Sequence, residues 1–345
     1  MLKKTLAIFI ATITLMTSTQ LAFAETENKD EETTISSISF QKDNRNDKEL
    51  GQILTNGKTY EFPIVITDDK GKTHELKDKH LDGYKISLRA IDGKDALSSI
   101  AAEKSGTSYN LVVKPKSGWP TTQTEVSYNF VIMNRRTGKT VAEKAIDFSV
   151  GYETLNDDAY KNVGKGDLVY VTQNAPVITE EQFSAMDKLS GGKKITLSNN
   201  NWRYEVRVSD QKDLNLLNHK NPNKTVMQAF PNQEFEFFNF PAGSEFDFTG
   251  TMTLDVYDLE ESFVGKFFTY RYYKGRMTKI DTNYDKEDGT ISFNTKWLGN
   301  FVVTNKEIKD GTIVEEIKDA PVSDNNGETN KPSTDKPAPP TGAIA

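Results

Sequence analysis

The chain has 345 residues, 36 % hydrophobic and 27 % charged, with no cysteine and a formal net charge of −7. That composition supports buried cores without membrane embedding, and its acidic balance with scattered basic residues excludes general binding to nucleic acid or anionic lipid. The lack of cysteine excludes disulfides, thiol catalysis, cysteine–zinc sites and iron–sulfur clusters, so apolar packing must hold the domains together.

The length suggests about two domains. At the N-terminus, Lys3 and Lys4 precede an apolar run from Leu6 to Met16, and Ala22-Phe23-Ala24 follows as a small-residue cleavage site. The run is too short to span a bilayer, which needs roughly 20 apolar residues, so residues 1–24 are expected to be a signal peptide. Its removal takes away Lys3 and Lys4 and brings the formal charge from −7 to −9. Membrane contact is expected only through this signal peptide or through a C-terminal anchor that the sequence does not contain. Residues 25–36 are acidic and polar and are expected to be a disordered leader.

From residue 37 to 152 the pattern is short strands and turns. Tyr60, Phe62, Ile64 and Ile66 alternate with more polar positions, although Pro63 cannot donate to a ladder and points to a sheet edge or a bulge. Tyr84, Ile86 and Leu88 form the next row, followed by Tyr109, Leu111 and Val113. The row Val126, Tyr128, Phe130, Ile132 precedes the turn Arg135–Gly138, then Ile146, Phe148 and Val150. About seven strands at this spacing predict an antiparallel, immunoglobulin-like β-sandwich. Residues 96–104 are ambiguous between helix and strand.

The polar stretch 151–166 reads as a boundary, and a second sandwich domain is expected over 153–307. It contains one convincing helix, 180–190. Thr179 and Gln182 form a capping box, Ile178 and Phe183 a hydrophobic staple, and Gly191-Gly192 a stop. Phe235, Phe237 and Phe238 lead into the aromatic-rich strand stretches 246–256, 266–280 and 290–305, with tight turns at Lys274-Gly275 and Asp288-Gly289. Residues 308–345 turn rich in proline, serine, threonine and asparagine and are expected to form a disordered stalk. The expected fold class is thus mainly β: two antiparallel sandwiches, the second with one short packed helix, between a signal peptide and a Pro-rich tail.

The helix-then-strand text ITEEQFSAMDKLSGGKKITL, the strand NNNWRYEV and the ending ISFNTKWLGNFVVTN resemble modules of repetitive extracellular proteins from Gram-positive, clostridial-type bacteria. Phe293, Thr295, Leu298, Gly299, Phe301 and Val302 carry the likeness to the closing strand of those modules. The resemblance implies an extracellular, cell-wall or cell-surface location more than a chemistry. Pro339, Thr341 and Gly342 also resemble a sortase signal cut between Thr341 and Gly342, which would make sortase and the cell wall partners. Two departures stand against that likeness: Ala338 occupies the first position, and no hydrophobic span follows Ala345.

Chemistry-bearing motifs are sparse. His74, His80 and His219 each sit in a polar context and read as solvated loop residues, with no nucleophile motif beside them. Asp281, Asn283 and Asp285 alternate like a calcium loop, but Lys286 replaces the turn glycine and Ser292 the bidentate glutamate, which favours a plain hairpin turn. Trp119, Trp202 and Trp297, with Tyr270, Tyr272 and Tyr273, could form a sugar-stacking platform or fill a core. Trp119 and Trp297 are the candidate ligand-binding residues. No cofactor and no catalysis are expected. The expected role is a non-enzymatic structural or adhesive surface protein contacting a host or microbial surface protein or glycan. The alternative is a carbohydrate-binding module of a surface polysaccharide system.

Overall fold

A computed structural model describes residues 35–43 and 45–314. The expected signal peptide, residues 25–34 of the leader, and residues 315–345 with Pro339, Thr341 and Gly342 lie outside the described residues. The protein is mainly β.

The N-terminal half contains β1 (Ile35–Phe40), β2 (Ile53–Leu54), β3 (Tyr60–Asp68), β4 (Thr73–Glu75), β5 (Tyr84–Asp92), β6 (Leu97–Ser105), β7 (Ser108–Pro115), β8 (Thr124–Asn134) and β9 (Thr140–Val150). One sheet runs β1-β3-β7-β6 with β4 added beside β3, and the other runs β2-β9-β8-β5. The apolar alternation predicted from sequence faces one shared core. Phe62, Ile64 and Leu111 from the first sheet meet Val126, Phe130, Ile132 and Phe148 from the second. Such rows hold because each inward side chain of a period-two strand leaves water together with its cross-strand neighbours.

Three expectations change here. Residues 97–105 are a strand, and eight of the nine pair with β7, so tertiary pairing overrides the helix preference of alanine, glutamate and lysine. The strand carrying Pro63 is not at an edge, because β3 lies between β1 and β7. The β1 ladder ends at the pair Phe40–Ile64, and the Pro63 carbonyl accepts from the Gln41 N–H just beyond it, so the missing donor falls outside the ladder. Finally, Ile35 and Ser36 belong to β1 rather than to the leader, and Ile35 is buried.

The halves change over within five residues, since Val150 packs in the first core and Leu155 in the second. The loop carrying Trp119 touches the second half. The buried Asn215 donates through Nδ2 to the Pro120 carbonyl at 3.1 Å, and the Tyr152 hydroxyl donates to the Gly118 carbonyl at 3.1 Å.

The C-terminal half contains β10 (Val169–Tyr170), β11 (Val177–Ile178), α1 (Glu180–Ser190), β12 (Ile195–Ser198), β13 (Trp202–Val206), β14 (Leu214–Asn215), α2 (Lys224–Ala229), β15 (Phe235–Asp255), α3 (Glu260–Phe263), β16 (Phe268–Tyr273), β17 (Arg276–Ile280), β18 (Asn283–Asp285), β19 (Thr290–Thr304) and β20 (Thr312–Ile313). Helix α1 occupies the expected residues, with the Thr179–Gln182 box formed and Gly191 left-handed at its end. Thr179→Ala should lower the stability of this half by about 1 kcal/mol, read as a shift in its urea unfolding midpoint.

A second sandwich of two stacked sheets was the expectation; the hydrogen bonding instead runs through nine strands as one sheet. The long strands β15 and β19 form its spine, and their register shifts between Asn239 and Ser244 and again between Glu245 and Gly250. These irregularities bend the pair, so its two ends serve different parts of the sheet. Met252 and Leu254 of β15 pair with β13, whereas the 300–304 end of β19 pairs with β16.

Near that end both faces are covered. Phe238, Phe240, Phe301 and Val303 join the large core that includes Trp202, Tyr204 and α1. Phe237 and Val302 face a smaller core closed by Val226 of α2, Ile308 and Val314. Residues 308–314 therefore belong to the fold rather than to the expected stalk. The buried Tyr270 hydroxyl fixes this segment, donating to the Ile308 carbonyl at 2.8 Å and accepting from its N–H at 2.7 Å.

Candidate functional site

The bend of β19 leaves a concave surface between its first residues and the β16–β17 hairpin. A cleft of about 400 Å³ lies there, lined by Arg271, Thr278, Asp281, Asn294, Thr295 and, at its floor, Phe301. Arg271 and Thr278 are register partners across the hairpin, and Arg271 is also paired with Phe301 of β19. Strand pairing thus fixes the backbone of all three.

Trp297 is not one of the lining residues but lies against two of them, Arg271 and Phe301. A Cβ on Gly299 would lie 1.7 Å from its indole, so the ring rests where only a glycine leaves room. Its ring is edge-on to Tyr273 at 5.6 Å and to Phe301 at 6.1 Å, and the Arg271 guanidinium lies over it at 5.6 Å. Tyr273 is 53 % exposed, and Lys274 sits 5.2 Å from its ring centre. Lys279 pairs with Glu307, whose carboxylate holds the ammonium above its ordinary pKa range. The cleft therefore combines hydroxyl and amide side chains and cations, with an aromatic pair beside it; the Thr295 hydroxyl also bonds the Trp297 backbone, and Asn294 Oδ1 accepts from the Thr251 hydroxyl.

Of the candidates from sequence, Trp297 is half-buried at this cleft, and Trp119 is 47 % exposed in its interface loop, far along the chain from it. Trp202 and Tyr270 are buried core residues and leave the proposed stacking platform. Asp281, Asn283 and Asp285 do not form a cation loop. Asn283 and Asp285 lie on β18, the Asp285 carboxylate accepts from the N–H groups of Glu287 and Asp288, and Asp281 lines the cleft. Among the described residues no group of three or more acidic or histidine side chains is placed to hold a metal ion. Arg271 was missed. Its sequence signal was available: residues 271–279 hold four cations and three apolar or aromatic side chains without a carboxylate, in a chain of net charge −7.

A second cleft, in the N-terminal half, includes Asp78, Tyr109 and Arg135. Its polar groups serve one another: Asp78 accepts from the Tyr109 hydroxyl and from Lys104, and Arg135 donates to the Tyr84 carbonyl. It is a satisfied surface network.

The histidines differ from their expected setting. His80 is buried, its Nδ1 accepts from the Lys77 N–H at 3.1 Å, and burial followed by the nearby Lys79 charge lowers its pKa. His219 is half-buried and is lowered by burial as well. His74 donates through Nε2 to the Asp68 carboxylate at 2.9 Å. With the folded pKa of His80 and His219 below the unfolded value, the unfolded chain binds protons first on acidification. Stability should be intact above about pH 6.5 and decline as pH falls through the lower folded values. Urea midpoints at neutral and mildly acidic pH measure this, and His80→Gln should flatten the decline.

No family model matches the sequence, and no curated protein matches it. Fourteen chains of known structure match. One of them, described as "ZirS C-terminal Domain", is 10 % identical and covers 43 % of this chain and 92 % of that chain at a TM-score of 0.21. A likeness of that size carries no argument about this protein.

Proposed function

We propose that this is an exported, surface-displayed, non-enzymatic binding protein that contacts a glycan through the cleft at Trp297. The observation that carries the reading is the aromatic pair: an indole seated on Gly299 and an exposed tyrosine edge-on to it, beside a cleft of threonine and asparagine side chains. Exposed ring surface next to hydroxyl and amide groups suits a saccharide, which offers apolar ring faces and many hydrogen-bonding hydroxyls. Export rests on the signal-peptide pattern of residues 1–24, and display on the sortase-like Pro339, Thr341 and Gly342.

The N-terminal half fits the same picture as a rigid companion domain. We read its two sheets, β1-β3-β7-β6 and β2-β9-β8-β5, as the A-B-E-D and C-F-G sheets of an immunoglobulin-like sandwich, a reading that the strand order supports.

A glycan-array screen tests the reading. Saturable binding that is lost in Trp297→Ala and kept in Trp119→Ala is the expected result. Binding lost in Trp119→Ala alone would move the site to the interface loop, and no binding to any glycan would reject the reading.

A further inference from the structure

We infer that the ligand of this cleft is an acidic saccharide, whose carboxylate, sulfate or phosphate group docks on Arg271. The inference rests on the glycan reading above and adds the ligand's charge.

Within the hairpin 271–279 stand Arg271, Lys274, Arg276 and Lys279 and no acid, although the whole chain carries 50 acidic and 43 basic residues. Of these, Lys279 is matched by Glu307. Arg271, Lys274 and Arg276 are exposed, and none has an ion-pair partner among the described residues. Asp281 is the one carboxylate among the cleft-lining residues, and it flanks Lys279 rather than pairing with Arg271. The local balance is thus opposite in sign to that of the molecule.

Arg271 is also oriented. Its guanidinium carbon lies over the Trp297 ring, 5.6 Å from the ring centre, and its N–H groups have no hydrogen-bond or ion-pair partner among the described residues. That arrangement presents two parallel donors to a planar or tetrahedral oxyanion, a geometry that a lysine ammonium cannot reproduce. Trp297 then acts chiefly by holding Arg271, and Tyr273 offers the ring surface beside it. A neutral sugar would leave the guanidinium without a counter-charge, so the acidic group is what this face discriminates.

The test uses the full chain with polygalacturonate, dextran sulfate and neutral dextran at low and moderate salt. Wild type is compared with Arg271→Gln, Arg271→Lys and the remote exposed-cation variant Lys144→Gln. The expected result is preference for an acidic polymer, weakened about tenfold by Arg271→Gln, only partly retained by Arg271→Lys and unaffected by Lys144→Gln. Carboxylated and sulfated polymers in separate arms tell which acidic group is bound. Equal binding of neutral and acidic polymers, unchanged in Arg271→Gln, would overturn the acidic-ligand inference and leave the glycan reading standing. Equal losses in Arg271→Gln and Lys144→Gln would reduce the effect to a general field and overturn it too. Binding to none of the three polymers, together with a blank glycan array, would remove both.

Discussion

Phe301→Ala should destabilise the C-terminal half by about 3–5 kcal/mol, the range for truncating a fully buried phenylalanine. Phe301 lies at the bend of the spine, with its ring 5.0 Å from Phe293, 6.3 Å from Phe240 and 6.1 Å from Trp297. Its removal empties the centre of the large core and undercuts the seat of Trp297 at the same time. The N-terminal half has its own core, so its unfolding should be almost unchanged. Chemical unfolding followed by the buried tryptophan signal of the C-terminal half and by circular dichroism of the whole chain separates the two. A loss shared equally by both halves would show that the cores are not independent.

Gly250→Ala should cost nearly as much, about 3 kcal/mol, for a different reason. Here an added methyl would meet Tyr204 Cζ at 2.6 Å and the Glu205 carbonyl oxygen at 2.7 Å, the second of which is backbone that cannot swing aside. Tyr204 is fully buried, its hydroxyl donates to the Thr295 carbonyl at 2.7 Å, and burial pushes its pKa up to about 12. Overpacking therefore both strains the β13–β15 pairing and breaks a buried hydrogen bond. Tyr204→Phe removes the bond without the steric clash and should cost only about 1 kcal/mol. If Gly250→Ala were no worse than Tyr204→Phe, the close approach of backbone and ring would be wrong. Because Thr295 lines the cleft, the steric variant should also weaken glycan binding.

Much of the N-terminal half was legible because its strands obey one rule. Most bury one face more completely than the other, so Tyr60, Phe62 and Ile64 or Val126, Tyr128 and Phe130 announce themselves by period two, although Val65, Val112 and Val131 are buried on the opposite faces. Helix α1 was legible because its start and stop are local, written in Thr179, Gln182 and Gly191. The spine was harder to read. Residues 235–240 and 300–304 bury both faces, which erases alternation, and the polar text between Phe240 and Phe246 hides the fact that β15 continues through two bulges. Helix α2 was lost for a smaller reason: Asn223, whose side chain accepts from the Val226 N–H as an N-cap, sits in a run that reads as a polar loop.

The segment 308–314 shows another limit. Ile308 and Val314 are isolated apolar residues among charges, and only the long-range contact with Tyr270 shows that they are core. The candidate site was half visible. Trp297 stood out by type, but the reason it matters, an indole lodged on Gly299 with a guanidinium over it, depends on strands separated by more than twenty residues. Trp119 was equally visible by type. Its loop touches the second half through Pro120 and Asn215, which gives it an architectural neighbour instead of a cleft.

The chain contains three tryptophans, one in each of three settings: Trp119 exposed in a loop, Trp202 buried and Trp297 at the cleft. The indole N–H resonances, assigned with Trp119→Phe and Trp297→Phe, can be followed by nitrogen–proton correlation spectroscopy while a glycan from the array is added. A saturable shift of the Trp297 resonance, with those of Trp119 and Trp202 unmoved, is the result the glycan site at Trp297 requires. A shift confined to Trp119, or binding with no movement of Trp297, would contradict it.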